Sequence, residues 1–373
     1  MFDVVTIGSA TRDAFFESDF PLISWPKAES GKAYVLPFGE KLDVKKVFFT
    51  IGGNAVNASV TFARQGCKTA CVAKTGTDVS GEEIRRRLKS EGAETKFLLA
   101  GKELPTSYSV LLLEKGPSTF LDKTRNRSLG TGRSTSLTTG ERTILNYRGV
   151  ADSFSIRDVN LKQIPARWWY VSLAGESHAM LPRLLKFAAA NHIVVAFNPS
   201  GHHIKHRRRE ILSALGNVSF LVLNTEEASR LIGISFRNEQ RVFRELDALM
   251  PGRRGRISSR RGILAVTDGR KGATVSDGHH IYKAGVFPER KLVDRTGAGD
   301  AFGSGFVAGL LRRGIDSKRI SSVESEDICY AIRLATANAT SVVETIGATE
   351  GVLTRKRFAD RRWSHFKIAA KKI

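Results

Sequence analysis

Cysteine is scarce: Cys67, Cys71 and Cys329 are the whole complement of 373 residues. An odd, sparse set is no disulfide framework. Cys67 and Cys71 straddle an expected helix end and the next strand, which argues against a zinc site. A reducing compartment, the cytoplasm, is the expected location. Long apolar runs are missing as well. None approaches the ~18 residues needed to cross a bilayer, so no membrane partner is expected. The opening stretch MFDVVTIGSATRD has Asp3 and no basic segment before its apolar residues. It reads as a first β-strand rather than a secretory signal. Three motifs are also absent: G-x-x-x-x-G-K-[ST], the H-R-D catalytic loop and H-E-x-x-H. P-loop phosphotransfer, protein-kinase chemistry and the zincin type of metalloprotease lose their main support.

Negative charge is the remaining deficit. Asp and Glu number 37 against 59 Lys and Arg, a net of +22. Such an excess attracts polyanions, whether nucleic acid, anionic membrane or phosphorylated ligands. It clusters in a connector near 115–140, in GRRGRISSRR at 252–261, and in the tail from Val352 onward. The preferred reading is a generally basic protein with solvated Lys and Arg, because no nucleic-acid motif accompanies the charge.

Hydrophobic residues make up 41% of the chain, enough for a sizeable core. The length suggests one large α/β domain with an appended piece, or two domains. Phe2 to Gly8 reads as a strand, and Asn54 to Gln65 as a helix stopped by Gly66. Thr69 to Ala73 is strand-like and Gly81 to Ser90 helix-like. Trp168 to Ser172, Ile193 to Asn198, Phe220 to Leu223 and Gly262 to Val266 are short apolar runs between helical stretches. This alternation predicts a mainly parallel sheet covered by helices on both faces, a three-layer α/β/α fold. Within 106–148, SYSVLLLE and RTILNYR are β-like, joined by a Gly/Ser/Thr/Arg-rich connector. Thr354 to Lys372, with Phe358, Trp363 and Phe366, is expected to form a basic amphipathic helix.

The strongest motif is DRTGAGDAFGSGFVAGLLRRG, from Asp294 to Gly314. Gly297, Ala298 and Gly299 let backbone approach a ligand closely. The helix that follows directs its unpaired N–H groups and positive dipole end at the same spot, an anion site. Asp300 stands at that helix start. A carboxylate beside an anion site makes sense as a base that deprotonates a hydroxyl, and the helix dipole is expected to keep it ionised. Gly303, Gly305 and Gly309 each cost about 1 kcal/mol in a helix interior, so close packing is expected there. A second motif, TIGGNAVNASVTFARQG, runs from Thr50 to Gly66. Gly52 and Gly53 make a tight turn into a helix carrying Asn54 and Asn57, whose amides offer donor and acceptor to a polyol.

The two motifs, in this order, resemble the two signatures of the ribokinase-like (PfkB) carbohydrate and nucleoside kinases. The resemblance spans roughly residues 3 to 350, with the basic C-terminal piece at 351–373 outside it. It implies a ribokinase-like α/β domain with a small β lid built near 14–50 and 106–148, and a flexible insertion at 115–140. It implies that Asp300 is the catalytic base and that Gly297, Ala298 and Gly299 form the anion hole. Asp13, Gly52, Gly53 and Asn57 would hold the acceptor, with Asn146 and Arg148 reaching it from the lid. Asn224, Thr267, Gly269, Gly272 and Asn338 would hold the nucleotide, and the stretch to Gly347 would line the base pocket. Glu227 would organise Mg²⁺ through water, and Asp294 a monovalent cation such as K⁺. Arg295 departs from the small residue usual there. Asn54 stands where relatives acting on phosphosugars carry Lys, so an unphosphorylated acceptor is implied.

The implied reaction moves the γ-phosphate of ATP to a hydroxyl, preferably a primary alcohol, of a sugar or sugar acid. A ribonucleoside is the alternative acceptor, with Phe15, Phe16 and Phe38 as candidate walls for its base. A polyanion-binding protein on a kinase fold is the reading from another class. A homodimer through the lid completes the expectations.

Overall fold

The computed structural model of the protein describes residues 1–28, 31–114, 142–253 and 262–373. Strands β1 (Phe2–Gly8), β2 (Thr11–Ser18), β3 (Leu22–Ser24), β4 (Lys32–Tyr34) and β5 (Lys46–Gly52) lead into helix α1 (Asn54–Arg64). Then come β6 (Thr69–Gly76), α2 (Val79–Ser90), β7 (Leu98–Gly101), β8 (Ser107–Glu114) and β9 (Arg142–Tyr147). The middle of the chain supplies β10 (Ala166–Ser172), α3 (Leu181–Ala190), β11 (Val194–Phe197), α4 (Gly201–Ala214), β12 (Phe220–Asn224), α5 (Thr225–Ile232) and α6 (Glu239–Leu249). It ends with β13 (Ile263–Thr267), β14 (Ala273–Ser276), β15 (His280–Ala284), α7 (Ala298–Arg312), α8 (Ser325–Val343), α9 (Arg355–Phe358) and β16 (Ile368–Lys372).

The central sheet runs β16-β15-β14-β13-β12-β11-β10-β1-β6-β7. From β13 to β7 all pairings are parallel, and β14, β15 and β16 are added antiparallel. A parallel sheet covered on both faces needs apolar residues at successive positions. β10 meets that demand. Trp168 and Tyr170 point into the core beneath α1, α7 and α8. Trp169 and Val171 point into the core beneath α3, α4, α5 and α6. All four are fully buried. The three-layer α/β/α arrangement expected from the sequence is therefore present.

The glycines of α7 have structural reasons. A Cβ on Gly305 would come within 3.0 Å of the Ala335 Cα, and one on Gly309 within 2.6 Å of the Ala331 Cα. Their absence lets α8 pack directly on α7. The Gly66 φ of +83° ends α1, as its position suggested.

A second sheet, in the order β5-β2-β8-β9, stands apart from the first. Its register aligns Thr50, Asp13, Ser109 and Asn146 across the four strands. Residues in such a row share one face. The connector at 115–140 and most of the 252–261 run lie outside the described residues. Arg253, near the start of that run, is buried and paired with Asp247 at 2.7 Å.

The tail departs from expectation. In place of one helix over Thr354–Lys372 there is the single turn α9, a 3₁₀ turn at Arg361–Trp363, and strand β16. β16 pairs antiparallel with β15, whose edge takes up its backbone N–H and C=O groups. Trp363 is buried edge-on against Phe287 at 5.0 Å, and Phe366 stacks on the same ring at 4.4 Å. Both partners are distant in sequence, so a local helical period could not reveal them. Among the described residues no helix is long and apolar enough to cross a membrane.

Candidate active site

Parallel α/β sheets bind ligands at the carboxyl ends of their strands. Here those ends meet the start of α7. Asp300, in the first turn, accepts a hydrogen bond from Asn57 Nδ2 at 2.8 Å on one carboxylate oxygen. The other oxygen accepts from Asn198 Nδ2 at 3.3 Å, and that amide also lies 3.3 Å from the Tyr170 hydroxyl. Burial pushes the Asp300 carboxyl up to about 6, against the bond from Asn57, which favours ionisation. The helix N-terminus was expected to keep the pKa low; desolvation outweighs it. The group is still mainly ionised at neutral pH.

Gly297 caps α7 with φ +78°, and a Cβ there would lie 2.4 Å from the Ala348 Cβ. Both facts demand glycine. Of the three residues expected to form the anion hole, Ala298 spends its N–H on Arg295 O at 3.3 Å. The first N–H groups of a helix lack intrahelical partners, and Gly297, Gly299 and Asp300 line the cavities on either side of this turn. A Cβ on Gly299 would meet no atom within 4 Å.

A cavity of about 330 Å³ opens on one side of Asp300. Asp13, Gly53, Asn54, Asn57, Ser109 and Asn146 are among its walls, together with Arg148, Asp152 and His202. Asp13 is only 6% exposed. Burial raises its carboxyl to about 7, with Ser109 hydrogen bonding in the opposite sense and Asp294 and Asp300 adding to the rise. Gly52 is required beneath it, since a Cβ would sit 1.9 Å from Asp13 Oδ2. Gly53, at φ +92°, has Ser9 O only 2.6 Å from where a Cβ would be. Asn54 donates to Ser172 Oγ at 2.7 Å. Asn57 Oδ1 is buried without a partner, although its Nδ2 is committed to Asp300.

On the other side of the α7 start lies a cavity of about 260 Å³. Asn224, Thr267, Gly269 and Gly272 line it, as expected, with Ala298 and Gly299. Asn338 does not. It is fully buried, donating to Ala301 O at 2.9 Å and accepting from Leu353 N at 2.9 Å. The face of α8 that meets this cavity carries Thr336, Ala339, Thr340 and Val343 instead. At 3.6 residues per turn, Asn338 points away from it, toward α1. Asn338→Ala is therefore expected to lower stability by about 1–3 kcal/mol, the cost of orphaning buried backbone groups, with the KM for ATP unchanged. Denaturant unfolding and steady-state kinetics check both halves.

Gly347 likewise serves the Asp294 carboxylate rather than the base pocket, donating its N–H to Oδ2 at 3.2 Å. The other oxygen accepts from the Thr296 N–H at 2.9 Å and hydroxyl at 2.7 Å. Asp294 is 1% exposed, with no Lys or Arg bridged to it among the described residues. Asn224 and Glu227 cap α5 reciprocally: Asn224 Oδ1 accepts from Glu227 N at 2.8 Å, and Glu227 Oε2 from Asn224 N at 2.9 Å. Burial raises the Glu227 carboxyl to about 7, and the charges of Asp300 and Glu226 add to this. Glu226 itself bridges Arg230 on the surface of the helix.

A family model described as pfkB family carbohydrate kinase matches residues 1–133 and 123–355. The chain belongs to this family. It is 23% identical to the ATP-dependent 6-phosphofructokinase of Thermoanaerobacterium thermosaccharolyticum, over 72% of this chain and 74% of the relative. It is 24% identical to the nucleoside kinase of Methanothermobacter thermautotrophicus, over 83% of each. The ribokinase of Haemophilus influenzae shares 25% identity, over 85% of this chain and 89% of the relative. The structure of Arabidopsis thaliana ribokinase complexed with ribose and ATP superposes with a TM-score of 0.66 at 17% identity, covering 98% of this chain and 99% of that one. The chain is thus a kinase of the PfkB type with the ribokinase fold.

Several residues of this PfkB site escaped the sequence reading. Asn198, just past the end of β11, bonds Asp300, and its amide also lies on the Tyr170 hydroxyl of β10; both stretches read only as apolar runs. Ser109, Asp152 and His202 enter the wall from elements with no motif of their own. An Asn at a strand's carboxyl end was the available signal for Asn198.

Proposed function

We propose that this chain transfers the γ-phosphate of MgATP to a hydroxyl of an unphosphorylated sugar or sugar acid, with Asp300 as general base. One observation carries the reading. The first turn of α7 is the shared wall of two cavities, with Gly297 and Asp300 facing one and Ala298 and Gly299 the other. A hydroxyl in the first and a triphosphate in the second meet at Asp300.

In this scheme Asp13 accepts hydrogen bonds from neighbouring hydroxyls, and Asn57 Oδ1 and Asn146 add polar partners. Asp300 takes the proton of the attacking hydroxyl, and the N–H groups of Gly297 and Gly299 bind the transferring phosphate. The sheet β5-β2-β8-β9 acts as a lid that excludes water. A divalent cation, Mg²⁺, would neutralise phosphate charge. Asp300 and Glu227 fit such an ion, because both are carboxylates desolvated by their surroundings and the charge of Asp300 raises the Glu227 carboxyl further. Among the described residues no three His, Cys, Asp or Glu side chains converge on a metal site. Glu227 would therefore act through water, with phosphates as the direct ligands. Asp294, buried and with no Lys or Arg bridged to it among the described residues, suits a monovalent ion such as K⁺.

The acceptor is inferred from the wall. Asn54 presents an amide rather than a cation there, which disfavours a phosphosugar. Arg148 and His202 offer a place for a sugar-acid carboxylate. A nucleoside fits less well: among the described residues no Phe, Tyr or Trp lines the cavity, Phe15 is buried in the sheet's own core, and Phe38 is fully exposed. The deciding experiment measures ADP release from MgATP, with and without K⁺, against free sugars, sugar acids, ribonucleosides and phosphosugars. A sugar or sugar acid is expected to raise turnover far above the ATPase background. A preference for a nucleoside or phosphosugar would refute the acceptor assignment, and no response across the panel would refute the activity.

A homodimer through the lid belongs to the same proposal. Its outward face exposes Val47, Phe49, Leu145 and Tyr147 at 43%, 57%, 53% and 46%. Sedimentation as a monomer at micromolar concentration would refute it.

A further inference from the structure

Strand β9 faces two places at once. Its residues Arg142, Ile144 and Asn146 alternate onto one face of the sheet. Ile144 and Asn146 line the acceptor cavity. Arg142 lines an open groove of about 1270 Å³, together with Asn224, Thr267, Gly269 and Arg295. Those four residues also line the nucleotide cavity. One strand therefore lays an amide over the acceptor and, two pleats away, a guanidinium over the nucleotide.

Among the described residues no carboxylate forms an ion pair with Arg142. The residue is half-buried, and its Nε is buried without a hydrogen-bond partner. Burial lowers its pKa and neighbouring Arg295 adds to this, with Asp294 opposing. The Asp294 carboxylate is already occupied by Thr296 and Gly347. Arg295 stands two residues before Gly297, and its carbonyl fixes the Ala298 N–H. It too makes no ion pair among the described residues. Two guanidinium groups lining one groove repel, and a buried donor without a partner costs free energy. An anion placed between them removes both penalties, and guanidinium geometry matches phosphate oxygens.

Resting on the proposed kinase reading, we propose that Arg142 and Arg295 form a two-sided clamp on the phosphoryl group during transfer. The bond from the acceptor oxygen to phosphorus forms as the β–γ bridging P–O bond breaks. The bridging electron pair leaves with ADP, and the hydroxyl proton passes to Asp300. The two arginines bind the equatorial oxygens of the group in flight. Arg142 rides on the second sheet and Arg295 on the main domain, so the clamp is complete only when that sheet covers a bound acceptor. Transfer to water is thereby disfavoured.

The test uses the full-length protein and the acceptor found by the panel. Arg142→Met and Arg295→Met are each expected to lower kcat by about 10²–10³-fold, the range for removing one transition-state donor. The acceptor KM should change by less than about 3-fold. MgADP with aluminium fluoride and acceptor, followed by calorimetry, should bind wild type at least about 10²-fold more tightly than either variant, while MgADP alone binds all three alike. Arg142→Lys, with unchanged thermal unfolding, should recover part of kcat through its point charge. Variants that turn over within 3-fold of an active wild type, or that bind the fluoride complex equally well, overturn the clamp and leave the kinase reading intact. An inactive wild type overturns both.

Discussion

Asp300→Asn is expected to lower kcat by at least ~10²-fold, the lower end for losing a general base, with MgATP affinity retained. The amide is isosteric, so Asn57 and Asn198 keep neighbours of the same shape, and the fold is not the variable. What disappears is the ability to accept a proton. Wild-type activity should also carry an acid limb. The Asp300 carboxyl is raised to about 6 by burial, so kcat falls as pH drops through that value and the base becomes protonated. The residual activity of the variant should lack this limb. Steady-state kinetics from pH 5 to 8, with calorimetry for ATP, checks both points. Near-normal turnover in the variant would remove Asp300 from the chemistry.

Asp13→Asn is expected to move activity and stability in opposite directions. The carboxylate can accept from two hydroxyls, and hydrogen bonds to a charged group contribute about 1.5–3 kcal/mol each. Exchanging one acceptor for a donor should lower kcat/KM by ~10–100-fold, mostly through the acceptor KM. Stability should rise at neutral pH. The native carboxyl, raised to about 7, binds protons more readily than the unfolded one. Wild-type stability from this group is therefore fully present at low pH and declines as pH rises from about 4 to about 7. Removing the buried charge should add on the order of 1–3 kcal/mol at pH 7.5, at 1.36 kcal/mol per pKa unit, and flatten that slope. Denaturant midpoints at pH 5 and 7.5 provide the measurement. A variant less stable than wild type at pH 7.5 would mean that Asp13 is held by a partner rather than kept for the acceptor.

The opposed signs follow from how the site is built. Asp13, Asp300 and Glu227 are each desolvated by burial and carry raised pKa values. No lysine or arginine bridges any of them among the described residues. Perturbed groups of this kind cluster where ligands supply the missing partners. Arg142 and Arg295, which make no ion pair among the described residues, form the positive half of the same arrangement.

The basic surplus is partly absorbed by structure. Arg313 pairs with buried Asp327 at 2.6 Å, Arg362 with Glu344 at 2.9 Å, and Arg333 lies over the Phe358 ring at 5.0 Å. These contacts use the charge of the C-terminal third for internal bonding, which weakens the polyanion-binding reading for that part of the chain.

Sequence alone determined what local chemistry dictates. The glycine stop of α1 at Gly66, the apolar run of β10 and the need of the α7 glycines for a close neighbour all follow from side-chain size and period. The two signatures also located Asp300 and the turn around it. Only tertiary structure decided which side chains meet. It carried Asn198 to Asp300 and Tyr170 to Asn198, turned Asn338 inward, spent the Ala298 N–H on Arg295 and made the tail a strand on β15. Each of those outcomes depends on a partner far away in sequence, or on the direction in which one helix face points. Spacing along a chain encodes the period of an element, not the neighbour it will find.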